Sequence, residues 1–121
     1  MSIVPTREDG RWHEVYFDIS TLTVHKREEM LRSRVAAGIA LLNEREWSAS
    51  WYFQIDLNRF DIDDPWNCVL GQLFAEDGYM GGLRALNLTL GVLYGFSGTY
   101  TEALTIIWEE EILKLRENHV Q

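Results

Sequence analysis

Apolar residues between Thr23 and Glu46 recur at steps of three and four. Leu31, Val35, Gly38, Ile39 and Leu42 fall on one face of a 3.6-residue period. The spacing predicts a long helix over 23–46. Thr21 or Thr23 suits its N-cap, and Glu28 and Glu29 suit the positive end of its dipole. A second stripe, Leu104, Ile107, Trp108, Ile112 and Leu115, predicts a terminal helix over 101–118. Thr99-Tyr100-Thr101-Glu102 matches a capping box, in which Thr and Glu satisfy each other's orphan amides. The run from Val35 to Ala40 is small on several faces, so another helix can approach it closely.

Between these helices the period breaks down. The stretch Trp47–Gln72 mixes three tryptophans, a tyrosine and two phenylalanines with four aspartates. It reads as a compact connecting region that leaves an acidic, aromatic-edged surface. Asp63-Asp64-Pro65 resembles a helix start and predicts a short helix over 66–75, with Val69, Leu70, Leu73 and Phe74 on one face. Asp77-Gly78 ends it, and Tyr79–Leu86 predicts another. Leu90–Phe96 suits a strand by composition, but Thr89 as cap and Gly95 as stop favour helix. Residues 1–10 read as a flexible end, with Pro5, Asp9 and Gly10 as breakers, ahead of one globular domain over 11–118. Trp12, Val15, Tyr16, Phe17 and Ile19 predict a strand. Such a strand needs a partner, either a second copy of the chain or residues 88–96.

The expected fold is therefore mainly α: a single-domain helical bundle of two long and two or three short helices, with room for a short N-terminal β element. Its expected core is Val35, Ile39, Leu42, Leu70, Leu73, Leu104, Ile107 and Trp108.

Charge narrows the function classes. The chain carries 19 acidic against 11 basic residues, a net charge of −8. Phosphate binding depends on Lys and Arg displacing counterions, so direct nucleic-acid binding is not expected. The same excess disfavours anionic membranes, and no apolar run approaches the roughly 20 residues of a membrane span. Cys68 is the only cysteine, which excludes an intrachain disulfide and fits a reducing cytoplasm. The N-terminus lacks the basic-then-apolar pattern of a signal peptide.

Candidate chemistry is sparse. Asp56, Asn58, Asp61, Asp63 and Asp64 suggest a calcium loop, but the sixth position from Asp56 is Asp61 instead of glycine and the twelfth is Asn67 instead of glutamate. Caps and turns account for them better. Cys68 lies near an expected helix start, but His13, His25 and His119 are scattered and none carries a catalytic signature. A buried structural thiol is the simpler reading. Glycines 78, 81 and 82 do not form a phosphate loop. No catalytic residue, cofactor or metal ligand is assigned. Glu109-Glu110-Glu111 suits a solvated helix face, with Glu110 and Lys114 spaced for an i,i+4 pair.

The segments Arg34–Glu46, Ile55-Asp56-Leu57, Cys68-Val69-Leu70-Gly71-Gln72-Leu73, Tyr94-Gly95-Phe96 and Thr99–Ile112 together carry a likeness. Over residues 34–112, about two thirds of its length, the chain resembles a group of small proteins encoded by actinobacterial phages, prophages and their hosts. It departs from them at Asn43-Glu44, where the group tends to have Asp-Glu, and at Phe60, where Leu is usual. The group has no assigned activity, so the resemblance implies a setting: an accessory protein in a bacterial host's cytoplasm. The expected function is a small acidic, non-enzymatic interaction protein that binds and modulates a host protein with a basic or mixed surface. Trp47, Trp51, Asp56, Asp61 and Asp63 are the candidate partner-binding residues. A nucleic-acid mimic or anti-defence inhibitor is the first alternative, if Asp56–Asp64, Glu76-Asp77 and Glu109–Glu111 share one side. An enzyme using Cys68 or the aspartates is the second. Strand pairing or the small face of the first helix favours a homodimer over a monomer.

Overall fold

The structure, a computed structural model, describes residues 2–8, 11–17, 23–45 and 50–119. It is mainly helical. A hairpin of β1 (Ser2–Glu8) and β2 (Arg11–Phe17) comes first. Helices α1 (Val24–Glu44), α2 (Val69–Leu73), α3 (Gly78–Ala85) and α4 (Thr101–Glu117) follow, with single 3-10 turns at Trp51–Phe53 and Val92–Tyr94. The long helices α1 and α4 pack together. The 92–94 turn sits on α1, the 51–53 turn on α4, and α2 against α3.

α1 begins where the sequence places a cap: the Thr23 hydroxyl accepts from the Lys26 amide at 3.2 Å. Its inner face carries Leu31, Arg34, Val35, Gly38 and Leu42. α4 faces it with Leu104, Ile107, Trp108 and Ile112. Trp108 is the centre of the core. It is fully buried, stacks on Phe96 at 5.7 Å between centroids, and meets Trp51 edge-on at 6.2 Å. Its indole N–H donates to the Gly95 carbonyl at 2.7 Å. Gly95 adopts φ +71°, a left-handed conformation suited to glycine, and its Cα side abuts Val35.

Gly38 explains why the first helix carries small residues. A Cβ there would stand 2.2 Å from the Tyr94 carbonyl oxygen and 3.0 Å from the Trp108 ring. What the small position admits is the 92–96 turn together with Trp108. Ala36 and Ala40 are exposed.

Several local expectations change. α2 starts at Val69, because Asp64 and the turn it shapes occupy the positions given to the first helical turn. Residues 90–96 supply only the 3-10 turn, ended by Gly95. The capping box at 99–102 is not formed: the N-cap of α4 is Tyr100, with no side-chain cap bond, one residue later than the box requires. Glu110 pairs with Arg32 across the helix interface at 3.0 Å, and Lys114 pairs with Glu111 at 3.3 Å. Ile39 and Leu73 are only partly buried; the other expected core residues are buried.

Residues 2–8, read as a loose end, pair with β2, the described part of the strand expected over 12–19; Asp18 and Ile19 lie outside the described residues. The register runs from Ser2↔Phe17 to Glu8↔Arg11. The strands are separated in sequence by Asp9 and Gly10, a pair favoured in two-residue hairpin connections. In a two-stranded ribbon every strand is an edge strand, where proline such as Pro5 is tolerated. With the pairing inside the chain, the strand gives no reason for dimerisation.

Gly38→Ala tests the packing. Alanine gains about 1 kcal/mol of helix propensity, but a Cβ forced to 2.2 Å from a backbone oxygen places the overpacking cost at the upper end of its usual range, about 2–3 kcal/mol. The expected net loss is about 1–2 kcal/mol by urea denaturation, against less than about 0.5 kcal/mol for Ala40→Ser on the exposed side. A Gly38→Ala chain as stable as the parent would contradict this packing.

Candidate functional site

The acidic stretch Gln54–Cys68 is an ordered loop whose shape comes from its own aspartates. Asp and Asn side chains readily accept a hydrogen bond from the amide two residues on. Asp56 accepts from the Asn58 amide at 3.0 Å, Asp61 from the Asp63 amide at 2.9 Å and Asp64 from the Trp66 amide at 2.8 Å. Ile55, Phe60 and Ile62 point down into the core, while Asp56, Arg59, Asp61 and Asp63 are exposed. The loop closes on itself where the Asp61 amide donates to the Asn67 carbonyl at 3.2 Å. Arg59 lies 3.6 Å from the Asp56 carboxylate and donates to the Asn67 side chain at 3.2 Å.

One buried side chain fastens the loop from below. The Gln72 carbonyl oxygen accepts from the Asp56 amide at 2.6 Å. Its amide nitrogen donates to the carbonyls of Asp56 at 3.1 Å and Asn67 at 3.0 Å. The neighbouring Gly71 lets the chain lie this close, because a Cβ there would meet the Pro65 carbonyl at 2.2 Å. Two further ties reach α4. The Thr105 hydroxyl accepts from the Ile62 amide at 3.0 Å. Arg116 donates to the carbonyls of Tyr52, at 2.8 Å, and Ile55.

Electrostatics follow from these bonds. The Asp64 carboxyl is held below the usual carboxylate range by the Trp66 amide, and the Asn67 side chain and amide act the same way. Cys68 caps α2, its sulfur accepting from the Gly71 amide at 3.3 Å. Burial nevertheless pushes the thiol's pKa up. The Gly71 amide opposes that shift, and the Asp64 charge adds to it. A helix start does not activate a sulfur that water cannot reach.

The candidate partner-binding residues divide. Asp56, Asp61 and Asp63 share the exposed side of one loop. Trp51 is fully buried, with its indole N–H donating to Asn43 at 2.9 Å, so its ring belongs to the core and not to a partner surface. Trp47 lies outside the described residues. Among the described residues the most exposed aromatic side chains are Trp66, 54% exposed, and Phe53, 50% exposed. Trp66 rests against Gly78, whose missing side chain leaves room for the ring. Phe53 meets His119 edge-on at 5.1 Å and lies under Arg116 at 5.7 Å. Composition alone did not separate these exposed rings from Trp51.

Glu110 and Glu111 turn toward Arg32 of α1. At 100° per residue, Glu110 stands about 140° around α4 from Thr105, which holds the aspartate loop, whereas Glu109 stands about 40° from it, so the run divides between the loop's side and the Arg32 side. Among the described residues no group of three or more His, Cys, Asp or Glu is placed to hold a metal ion, and no helix is long and apolar enough to cross a membrane. No protein-family model, curated protein or solved structure matches the chain.

Thiol labelling checks the role of Cys68. In the native protein it is expected to resist a neutral-pH thiol reagent and to react stoichiometrically after unfolding. Because its folded pKa is raised, its contribution to stability is fully present below the unfolded thiol pKa and is lost as pH rises through the folded value. Cys68→Ser should flatten that alkaline loss. Rapid native labelling would show an accessible, ionised thiol instead.

Proposed function

We propose that this chain is a small, acidic, non-enzymatic interaction protein that binds and modulates a host protein through the 56–67 loop. The observation that supports this reading is the loop itself. It is fastened from beneath by Gln72, presents Asp56, Asp61 and Asp63, and is edged by the exposed ring of Trp66. A rigid aromatic ring and pre-positioned carboxylates lose little entropy on binding, and tryptophan is enriched at binding hot spots. The fitting partner has a basic or mixed surface, and the net charge of −8 steers such a partner toward the chain. The resemblance to actinobacterial phage and prophage proteins supplies the setting, an accessory acting in a bacterial host's cytoplasm. Trp66 takes the place given to Trp51 in the sequence reading, and the three aspartates keep theirs.

Affinity capture from an actinobacterial lysate tests the assignment. A protein retained by the wild-type chain should be lost with Asp61→Asn combined with Asp63→Asn, and separately with Trp66→Ala. Capture should also weaken as salt is raised, because exposed charges are screened within about 10 Å at 0.1 M ionic strength. If both variants hold the same partners as the parent, the loop is not the binding surface.

A further inference from the structure

We propose that the hollow beside the acidic loop receives a lysine side chain of the partner protein, a proposal that rests on the loop being the binding surface and names the group that surface takes. The hollow lies between the 62–65 segment, the start of α3, the 96–98 turn and the start of α4, and holds about 190 Å³. Ile62, Cys68 and Phe96 are buried and form an apolar floor. Tyr79, Ser97 and Thr101 stand half-buried at the sides, and Asp63 is exposed at the rim. Hydrogen bonds hold these walls in place. The Tyr79 amide donates to the Pro65 carbonyl at 2.9 Å and its hydroxyl to Ser97 Oγ at 3.0 Å, which ties the loop to the 96–98 turn. The Ile62 amide donates to Thr105 Oγ1 at 3.0 Å, and that hydroxyl donates to the Thr101 carbonyl at 2.8 Å. A hollow framed in advance loses little conformational entropy on being filled.

Charge selects the occupant. Among the described residues that line the hollow, Asp63 alone carries a formal charge, and no Lys or Arg joins it. Its carboxylate makes no ion pair among the described residues, whereas Asp56 lies 3.6 Å from Arg59. Asp61 and Asp64 flank it in sequence, on a chain of net charge −8, so the potential at the rim favours a cation. The first turn of α4 is the positive end of that helix, and Glu102 within it offsets that charge. Tyr79 gives its proton to Ser97, so its phenol oxygen is left to accept. Lysine suits this layout because it lays an aliphatic stem along apolar surface and keeps its charged head at the water-facing edge. Its ammonium can spread three donors over a carboxylate and separate hydroxyls, whereas the planar guanidinium of arginine is matched to a bidentate acceptor.

The probe is the capped tripeptide acetyl-Gly-Lys-Gly-amide, titrated into the ¹⁵N-labelled full chain beside twins with norleucine or arginine in place of lysine. The lysine peptide should give saturable shifts at the amides of Asp63, Ser97, Gly98 and Thr101. The norleucine twin, which keeps the stem and lacks the charge, should bind at least about tenfold more weakly, and the arginine twin should also bind more weakly. Asp63→Asn should weaken the lysine peptide about tenfold, and Thr101→Leu, which fills the hollow, should abolish its binding. Glu76→Gln removes an equal charge outside the lining and should change nothing. The proposal is overturned by an absence of shifts at the lining, by norleucine or arginine binding as well as lysine, by Asp63→Asn binding like the parent, or by an equal loss with Glu76→Gln. The same variants separate the hollow from the loop. Host-protein capture that survives Thr101→Leu but is lost with Trp66→Ala would overturn the hollow and leave the loop as the binding surface.

Discussion

Gln72 lies beneath the acidic loop with both ends of its carboxamide engaged, and three backbone groups of the loop depend on it. A buried donor or acceptor left unpaired costs about 1–3 kcal/mol. Several at once would be a large fraction of the 5–15 kcal/mol typical of a whole domain. The loop cannot drop onto α2 without Gly71, nor stay there without Gln72. Ile55, Phe60 and Ile62 supply apolar burial from the same loop, and Thr105 and Arg116 fix its relation to α4. The exposed aspartates inherit their positions from these contacts.

The long helices were legible because their inner faces repeat at helical spacing, and Thr23 caps the first as its residue type suggests; Gly95 is a stop too, but of the short 92–94 turn. The loop was less so. Its apolar positions, Ile55, Phe60 and Ile62, keep no single period, since the chain turns between them. Three aspartates that looked like ligands or helix caps instead bond amides two residues on, and that spacing could have been read from Asp56-x-Asn58, Asp61-x-Asp63 and Asp64-x-Trp66. Gln72 carried a signal too, as a polar residue inside an apolar run, but its partners lie 5 and 16 residues away and no local pattern names them.

The aromatic residues show the limit most directly. Trp51 and Trp66 belong to the same acidic, aromatic stretch, yet one is the core partner of Trp108 and the other stands half in solvent. The difference is tertiary. Trp51 enters the space between α1 and α4 with Asn43 to take its N–H. Trp66 rides over Gly78, where a Cβ would stand 3.1 Å from the ring and where φ +67° favours glycine in any case. Two short motifs of the sequence acquire a physical meaning as well. Ile55-Asp56-Leu57 meets Gly71-Gln72 in the loop's anchorage, and Tyr94-Gly95-Phe96 is the turn that Gly38 and Trp108 enclose.

The most direct test of this account is native-state hydrogen exchange at the Asp56 amide. Asp56 is an exposed loop residue, and its N–H would exchange quickly if the loop were held only by local turns. Bonded to buried Gln72, it should exchange orders of magnitude more slowly than the neighbouring Asn58 amide, at a rate close to that of the α2 amides. Exchange at Asp56 as fast as at Asn58 would contradict the anchorage on which the rest of the loop's geometry stands.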